Sequence, residues 1–379
     1  MKETLGTIAL LIGIGVLLLS GCAGTTPTPT VTLVPTVIPK AASVPNIEHA
    51  APPAIADGVV YYGSLDSNLY AVDIQTGQEK WRFKTGGDVL VVPAIADRVV
   101  YFGSSDNNFY AVDIRTGQEK WRLKIGGAIT TSAAIADGVA YFGSDDNNLY
   151  AVNIPTGQEK WRFETGREIY AAPAIADGVV YFGSLDTHLY AVDIQTGEQK
   201  WKFKAGGQLG FAAPAIADGV VYFGNFDTHF YAVDIQTGEQ KWKFKTGARI
   251  SAGGGLLPSP IADGVVYFGS NDNNFYAVII ETGQEKWRFE TGGDMHASSA
   301  MGDGVVYFGS HDGNIYAVDS QTGQEKWRFK AGTLPKGGDF EGIASSPAIV
   351  GGVVYFGGVG GDLIAVDIQT GQESWRFKP

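Results

Sequence analysis

Cysteine, positive charge and long apolar runs are all scarce in this sequence. Cys22 is the only cysteine among 379 residues, which excludes an intramolecular disulfide. The chain carries 40 Asp and Glu against 28 Lys and Arg, a formal net charge of -12, and no basic cluster offsets this excess. Because nucleic acids and anionic lipid surfaces attract basic faces, the charge argues against binding to either through electrostatics.

The longest apolar run, Ile8–Leu19, lies close to the start of the chain. It is shorter than the roughly 20 residues that a membrane-spanning helix needs, and with Lys2 ahead of it the run fits the apolar region of a secretory signal. Leu19–Cys22 reads LSGC and resembles the lipobox of bacterial lipoproteins. The resemblance implies that Cys22 is lipidated on its sulfur and becomes the mature N-terminus. An ordinary signal with an incidental cysteine is the alternative.

A stretch rich in threonine and proline, Thr25–Lys40, follows the lipobox. It shows neither a helical nor an alternating apolar period. This composition favours an extended, polyproline-like chain that rises about 3 Å per residue, so the stretch could hold a globular part about 50 Å from the lipid. We therefore predict a signal peptide over 1–21, a lipidated N-terminus and linker over 22–50, and a globular region over 51–379.

Eight tryptophans divide the globular region into repeats of roughly 40 residues. They are Trp81, Trp121, Trp161, Trp201, Trp242, Trp287, Trp327 and Trp375. Repeats of this length that consist of short strand patterns indicate propeller blades, because helical repeats would show a period of about 3.6 residues. The sequence therefore predicts an all-β fold, an eight-bladed β-propeller of four-stranded antiparallel blades.

The strand patterns of the first blade differ between the inside and the outside of the sheet. Val59–Ser64 and Leu69–Asp73 are apolar at both alternating sets of positions, as in strands that are buried on both faces. Glu79–Lys84 instead alternates, with Trp81 and Phe83 on one face, which suits an outermost strand.

Two segments could contribute to the closure of the ring. Glu373–Pro379, which reads ESWRFKP, could complete blade 8, so that blades 1 and 8 meet by face packing alone. Alternatively, Ser43–His49 could add a strand at that junction. We favour the first arrangement.

A motif of fixed spacing recurs around each tryptophan. In the first blade it consists of Ala71, Asp73, Thr76, Gly77 and Trp81, with the pattern A-x-D-x-x-T-G-x-x-x-W. The glycine permits the positive φ of a tight turn, Asp and Thr can hydrogen-bond the turn backbone, and the indole can pack flat against the next blade. The motif resembles the tryptophan-docking motif of the quinoprotein-like (PQQ-type) repeat, in which the tryptophan joins adjacent blades. Only Asn153 and Ile279 depart from its aspartate.

This resemblance raises the alternative of an enzyme that uses pyrroloquinoline quinone. Such enzymes resemble the chain in blade number, but they carry a neighbouring cysteine pair and bind Ca²⁺ through inserted acidic and amide residues. Here the one cysteine is assigned to lipid, and no Gly-rich phosphate loop or nucleophile elbow occurs. We therefore expect no enzymatic activity and no cofactor.

Two possible metal sites are also disfavoured. An aspartate recurs between the second and third strands of seven blades, but Asp followed by Asn or Gly suits hairpin turns, and a Ca²⁺ loop needs more ligands. His188 and His229 share one turn position in successive blades, and His311 lies nearby in blade 7. Turn tips on successive blades are too far apart for nitrogens that must lie about 2 Å from one ion. The aspartates are Asp66, Asp106, Asp146, Asp186, Asp227, Asp272 and Asp312.

The segments between one blade and the next vary most among the repeats. They also carry every insertion, before blades 5, 6 and 8, and in a propeller they share one face with the aspartate turns. Mixed charges with a few aromatic anchors suit a binding rim. The predicted binding face comprises Arg167, Glu168, Tyr170, Phe211, Arg249, His296, Lys336, Asp339 and Glu341, with Asp88, Thr130, Gln208, Asp294 and Phe340 in the same segments.

The complete layout, a lipobox followed by a stalk and eight blades without cofactor residues, resembles the BamB family of outer-membrane assembly lipoproteins. The resemblance implies a monomeric, non-enzymatic propeller that is lipid-anchored in the cell envelope and binds envelope proteins or a ligand. As the net charge indicates, we expect no nucleic acid partner. An extracellular sensor propeller and a PQQ-dependent dehydrogenase are the alternatives.

Overall fold

The architecture consists of eight separate four-stranded sheets. The computed structural model describes residues 52–64, 66–74, 78–210, 213–251, 257–332, 343, 346–357 and 363–377. Within these ranges each sheet contains four consecutive strands in sequence order, and each strand is antiparallel to its neighbour. The predicted eight-bladed, all-β propeller is confirmed.

The strand bounds repeat closely from blade to blade. Blades 1 to 4 comprise β1 (Ala54–Ala56), β2 (Val59–Gly63), β3 (Asn68–Asp73), β4 (Glu79–Lys84), β5 (Ala94–Ala96), β6 (Val99–Gly103), β7 (Asn108–Asp113), β8 (Glu119–Lys124), β9 (Ala134–Ala136), β10 (Val139–Gly143), β11 (Asn148–Asn153), β12 (Gln158–Glu164), β13 (Ala174–Ala176), β14 (Val179–Gly183), β15 (His188–Asp193) and β16 (Gln199–Lys204). Blades 5 to 8 comprise β17 (Ala215–Ala217), β18 (Val220–Gly224), β19 (His229–Asp234), β20 (Gln240–Lys245), β21 (Ile261–Ala262), β22 (Val265–Gly269), β23 (Asn274–Ile279), β24 (Glu285–Glu290), β25 (Ala300–Gly302), β26 (Val305–Gly309), β27 (Asn314–Asp319), β28 (Glu325–Lys330), β29 (Ala348–Val350), β30 (Val353–Gly357), β31 (Leu363–Asp367) and β32 (Glu373–Phe377). Along these ranges no helix has the length and apolar character needed to cross a lipid bilayer.

The innermost strand of each blade is short and joins the second strand through a two-residue turn. In blade 1, Ala56 pairs with Val59, so Asp57 and Gly58 form the turn. Their φ angles of 49° and 72° are those of a type I′ turn, whose twist matches that of the flanking strands and which favours Asp-Gly. The Ala-Asp-Gly stretch therefore ends the innermost strand and reverses the chain.

The middle strands form the core because their side chains pack against both neighbouring blades. Leu69 and Ala71 of blade 1 belong to one buried cluster with Val100 and Phe102 of blade 2. Aromatic rings also stack between neighbouring blades. Phe109 of blade 2 stacks on Phe142 of blade 3, with 4.1 Å between the ring centroids. The outer strand β4 alternates between half-buried and exposed residues, as its sequence pattern predicts.

A tryptophan on the outer strand of each of blades 1 to 7 joins its blade to the next. Trp81 Nε1 donates a hydrogen bond of 3.1 Å to the carbonyl of Ile114 in blade 2. Its ring lies against the backbone of Gly117, where an added Cβ would come within 2.8 Å of Trp81 Cδ2. The same bond joins Trp121 to Ile154, Trp161 to Ile194, Trp201 to Ile235, Trp242 to Ile280, Trp287 to Ser320 and Trp327 to Ile368. The side chain of Trp375 lies outside the described part of the chain.

The turn between the third and fourth strands supports this contact. In blade 2, Asp113 Oδ1 accepts the backbone N–H and the hydroxyl of Thr116, at 3.0 and 3.1 Å. Gly117 follows with a φ of 70°, and its N–H donates to the Asp113 carbonyl. In blade 6 the motif aspartate is replaced by Ile279. The Gly283 N–H still donates to the Ile279 carbonyl, so the turn forms without the carboxylate. Thr76 and Gly77 of blade 1 lie outside the described residues.

Blade 8 is formed from one continuous stretch of chain. β32, Glu373–Phe377, pairs with β31 and completes the sheet that begins at β29. The prediction that the C-terminal segment supplies the last strand is therefore confirmed. Ser43–His49, the alternative segment, lies outside the described residues.

Candidate functional site

One face of the ring carries the residues in which the blades differ. Because the four strands of a blade alternate in direction, the linker that enters a blade and the turn between its second and third strands lie at the same end of the sheet. We call this end the linker–turn face. The opposite end carries the Asp-Gly hairpins and the turns that meet the tryptophans.

The recurring aspartate of the linker–turn face has a structural role. Asp106 Oδ1 accepts the N–H of Asn108 at 2.9 Å, and Oδ2 accepts the Tyr110 hydroxyl at 2.6 Å and the Gly86 N–H of the incoming linker at 2.7 Å. Burial opposes ionisation of Asp106, but these hydrogen bonds outweigh it and hold its pKa below the usual value. Both carboxylate oxygens are thus occupied by the turn and the linker, which supports the interpretation of this position as a turn residue.

Each linker is anchored by an apolar residue that enters the core. In the linker between blades 3 and 4, Ile169 is fully buried, and its N–H donates to the Ser144 carbonyl. Its side chain occupies the space above Gly143, where an added Cβ would lie 2.3 Å from Ile169 Cγ2. The residues on either side of Ile169 therefore point away from the core, since side chains alternate along an extended chain.

Three positions at each junction are left to vary. The first linker position accepts a backbone hydrogen bond from the turn of the next blade; at the junction of blades 3 and 4, Leu185 N–H donates to the Glu168 carbonyl at 3.0 Å. From junction 1–2 to junction 6–7, this position holds Asp88, Ala128, Glu168, Gln208, Arg249 and Asp294. The second linker position holds Leu90, Thr130, Tyr170, Gly210, Ser251 and His296, and the turn position holds Ser105, Asp145, Leu185, Phe226, Asn271 and His311.

The junction of blades 3 and 4, together with Asp145 of the preceding junction, is acidic and aromatic. Burial raises the pKa of Asp145; a hydrogen bond from Thr130 opposes the rise, and the Glu168 charge adds to it. Arg167 Nε lies 3.2 Å from Glu168 Oε2, but without the geometry of a hydrogen bond, so that buried oxygen has no donor among the described residues. Burial likewise raises the pKa of Tyr170, and the charges of Asp145 and Glu168 add to this. These groups offer carboxylates and a phenol to a donor or cation from outside.

The variable residues are mainly apolar at junction 4–5 and include a cation at junction 5–6. Gly210 lies between Leu185 and Phe226, and a Cβ on it would come 2.9 Å from Leu185 Cδ2 and 3.5 Å from Phe226 Cζ. The guanidinium of Arg249 then lies over the Phe226 ring, 5.5 Å from its centroid. An aromatic side chain and a cation thus follow directly on the acidic junction around the ring.

Two histidines and an aspartate meet at the junction of blades 6 and 7. Asp294 Oδ2 lies 2.9 Å from His296 Nε2, and Asp294 Oδ1 lies 3.1 Å from His311 Nδ1. The two imidazoles stack with 4.4 Å between centroids. Burial lowers the pKa of His311, and the nearby His296 charge adds to this while Asp294 opposes it. Sequence reasoning had grouped His311 with His188 and His229, and it missed the pairing of His311 with His296.

His188 and His229 instead belong to their own turns. His188 Nδ1 lies 3.0 Å from the Asp186 carbonyl, and His229 Nδ1 lies 2.9 Å from the Asp227 carbonyl. In blade 3 the amide of Asn148 makes the corresponding contact with the Asp146 carbonyl, at 2.9 Å. The two histidines therefore replace an asparagine of the turn.

The predicted binding residues fall into three groups. Arg167, Glu168 and Tyr170 lie together at junction 3–4. Arg249 and His296 lie at successive junctions and are bridged by the Asn271 amide, which is 3.2 Å from Arg249 Nε and 3.4 Å from His296 Nε2. Phe211, Lys336, Asp339, Glu341 and Phe340, and the proposed lipidation site Cys22, lie outside the described residues.

Comparison with known proteins identifies the family. The family profile described as outer membrane protein assembly factor BamB matches residues 34–132, 124–252 and 227–378. The chain belongs to the BamB family. Among curated proteins, no match to its sequence was found.

Solved structures share the propeller fold of this BamB-family chain. The computationally designed Ika8 protein aligns with a TM-score of 0.72 and 22% identity, over 87% of this chain and 100% of its own. BamB from Moraxella catarrhalis aligns with a TM-score of 0.67 and 17% identity, over 83% of this chain and 92% of its own. The quinohemoprotein alcohol dehydrogenase ADHIIG from Pseudomonas putida HK5 aligns with a TM-score of 0.68 and 16% identity, over 86% of this chain and 71% of its own. At these identities the likeness shows the fold alone.

Proposed function

We propose that the chain is a non-enzymatic scaffold of the cell envelope that binds partner proteins through its linker–turn face. The observation that carries this proposal is that each repeat contains constant residues and variable residues in separate places. Residues that hold blades together recur almost unchanged, whereas the three variable positions of each junction converge on one face and present carboxylates, an aromatic patch and a cation. A mixed polar surface with aromatic and arginine anchors is what protein interfaces use.

Membership of the BamB family supports a place in the envelope. The description of that family, an outer membrane protein assembly factor, points to outer-membrane assembly components as partners. In this proposal Cys22 carries the lipid, the Thr/Pro-rich linker acts as the tether, and the propeller is monomeric. The sensor alternative predicts a small ligand in place of a protein.

Replacement of the proposed lipidation site should release the protein from the membrane. We expect Cys22→Ala to move the chain from the membrane pellet to the soluble extracytoplasmic fraction, because a propeller without its acyl chains keeps no anchor. Fractionation followed by immunoblotting measures this. Ser20→Ala, a neighbouring change that leaves the cysteine, should stay in the pellet. A Cys22→Ala chain that remains membrane-bound after a high-salt wash would contradict the anchor.

The polar groups of the linker–turn face do not favour hydrolysis. Ser251, His296 and Asp294 lie in line, with 3.3 Å from Ser251 Oγ to His296 Nδ1 and 2.9 Å from His296 Nε2 to Asp294. Ser251 is only 6% exposed, however, and the Asn271 amide donates to its Oγ at 2.8 Å. A substrate carbonyl could not approach this hydroxyl at the distance that nucleophilic attack requires.

The described residues of the linker–turn face also do not fit a bound quinone. The three carboxylates of pyrroloquinoline quinone need cationic groups that converge on one place. The linker arginines are apart, since Arg167 lies at junction 3–4 beside Glu168 and Arg249 lies at junction 5–6 over Phe226. We therefore derive no catalytic step through this cofactor.

Conversion of one junction to the residues of another tests the binding face. The triple change R167G, E168A and Y170T copies Gly127, Ala128 and Thr130 of the preceding linker and keeps the net charge. We expect capture of envelope proteins from solubilised membranes to fall about tenfold or more, because anchors of this kind contribute about 2 kcal/mol or more each. Quantitative pull-down with the full chain measures this. The framework bonds of the linker involve its backbone, so the melting temperature should not change.

The matched control exchanges residues on the opposite face. E198Q with Q199E copies the order found in blade 2, keeps the charge and should leave capture unchanged. A second test variant replaces Thr333–Ser345 with a plain repeat linker. Full capture by both linker variants, or dye reduction by the chain with the quinone, Ca²⁺ and an alcohol, would show that the proposed function is wrong.

A further inference from the structure

We propose that Asp294, His296 and His311 form a binding site for one divalent transition-metal ion such as Zn²⁺. One potential ligand atom from each residue lies within 4.8 Å of the other two. Two imidazole nitrogens and a carboxylate oxygen are a donor set that suits Zn²⁺ and its neighbours rather than Ca²⁺ or Mg²⁺, which prefer oxygen.

The spacing of the donors is close to that of a tetrahedral site. Two ligand atoms bonded to the same tetrahedral Zn²⁺ lie about 3.3 Å apart when each bond is about 2.0 to 2.1 Å. Asp294 Oδ2 lies 2.9 Å from His296 Nε2, and the other oxygen, Oδ1, lies 3.1 Å from His311 Nδ1. With all three ligand atoms within 4.8 Å of one another, modest side-chain rotations would bring them to the spacing of bonds to one ion.

The contacts of the cluster leave one polar atom without a partner. His311 Nε2 is buried and has no hydrogen-bond partner among the described residues. Buried ring nitrogens in proteins usually have one, whereas the other ring nitrogen, Nδ1, faces Asp294. The side chains of Asp294, His296 and His311 are 37%, 27% and 20% exposed, which leaves the site open to an ion from solvent.

Comparison among the blades shows that the fold does not require these three residues. The equivalent positions of the junction between blades 2 and 3 hold Ala128, Thr130 and Asp145, and those of the preceding junction hold Asp88, Leu90 and Ser105. Those junctions keep the same backbone hydrogen bond between linker and turn. Among the six described junctions, only 6–7 combines two histidines with an aspartate.

The neighbouring residues limit the strength of the site. The Asn271 amide lies 3.4 Å from His296 Nε2, and its oxygen accepts from Arg249 Nε at 3.2 Å. The amide could complete the coordination, whereas the guanidinium charge opposes a cation. We therefore expect weaker binding than at closed four-ligand zinc sites, with a position left for water or an exogenous ligand.

Titration of the full chain with Zn²⁺, without a polyhistidine tag, tests this inference. We expect one saturable site by calorimetry and the visible absorption of tetrahedral or five-coordinate Co²⁺ when Co²⁺ replaces Zn²⁺. H296T and H311S, which copy Thr130 and Ser105, should each weaken binding more than about 100-fold, because the loss of a direct ligand exceeds the effect of changing an outer partner. Both variants should melt at the parent temperature without metal.

The matched control is H188N, which removes a histidine and restores the asparagine of the repeat; it should bind Zn²⁺ like the parent. If H296T or H311S fails to fold, D294A, which copies Ala128, takes its place. Three results would overturn the proposal: no saturable site in the parent, unchanged binding in H296T and H311S, or an equal loss of binding in H188N. The result is independent of protein capture, which the variants at junction 3–4 test.

Discussion

Trp161→Ala should lower the free energy of unfolding by about 3 to 5 kcal/mol. The indole joins blade 3 to blade 4: its Nε1 donates to the Ile194 carbonyl at 3.1 Å, and its ring lies against Gly197, where an added Cβ would come 2.8 Å from Trp161 Cδ2. Truncation leaves a cavity that the flat glycine surface cannot fill. Urea unfolding followed by tyrosine and tryptophan fluorescence measures the change.

The hydrogen bond accounts for the smaller part of this effect. Tyr141 also donates to the Ile194 carbonyl, at 3.1 Å, so that the carbonyl keeps one donor when the indole is removed. Trp161→Phe keeps much of the apolar contact and should therefore cost only about 1 to 2 kcal/mol. The folded fraction of either variant should capture partners normally, since the turn that Trp161 contacts lies at the end of the blade opposite the linker–turn face. If the alanine variant has the same urea unfolding midpoint as the parent, Trp161 does not stabilise the contact between blades 3 and 4.

Gly143→Ala should cost about 3 kcal/mol although it adds a single methyl group. The new Cβ would lie 2.3 Å from Ile169 Cγ2 and 3.0 Å from the Ile169 carbonyl oxygen. Gly143 cannot move away easily, because its N–H donates to Thr131 Oγ1 and its carbonyl accepts from that same hydroxyl. The linker would have to shift, and with it the Glu168 and Tyr170 side chains.

Gly138→Ala is the matched control for this prediction. Gly138 has a φ of 73° and no atom within 4 Å of an added Cβ, so the change costs only the backbone strain of about 1 to 2 kcal/mol. Combining Gly143→Ala with Ile169→Ala should cost somewhat less than the sum of the single changes, since the closest contact, with Cγ2, is removed while the Cβ of residue 169 stays 2.6 Å from the methyl. Additive costs in this double-mutant cycle would contradict the close approach.

The fold was predictable from the sequence because each part of the repeat has a local cause. Alternation in Glu79–Lys84 marks an outer strand, and continuous apolar residues in Val59–Gly63 mark a buried one. The spacing from Asp113 to Gly117 marks the turn that meets Trp81. Since the blades contain the same local signals, eight observations support each assignment.

The arrangement of the proposed binding face was predictable only in part. The insertions and the variation in the linkers indicated the correct end of the blade for Arg167, Glu168 and Tyr170. The sequence did not reveal that Asp145 lies near Glu168, because two whole strands, β11 and β12, separate them along the chain. A signal was nevertheless present: the residue before each turn aspartate varies from Ser105 through Asp145 to His311 as strongly as the linkers do.

The sequence by itself determined the number of blades, the order of their strands and the residues that join them, since these depend on periodicity and on turns of a few residues. Only the tertiary structure decided which variable side chains meet. Asp294 and His296 point to the same side because Met295 between them is buried, and the hydrogen bond from the His311 N–H to the Asp294 carbonyl brings the turn of blade 7 against the linker. Such a contact depends on the packing of one blade against the next, which no local pattern encodes.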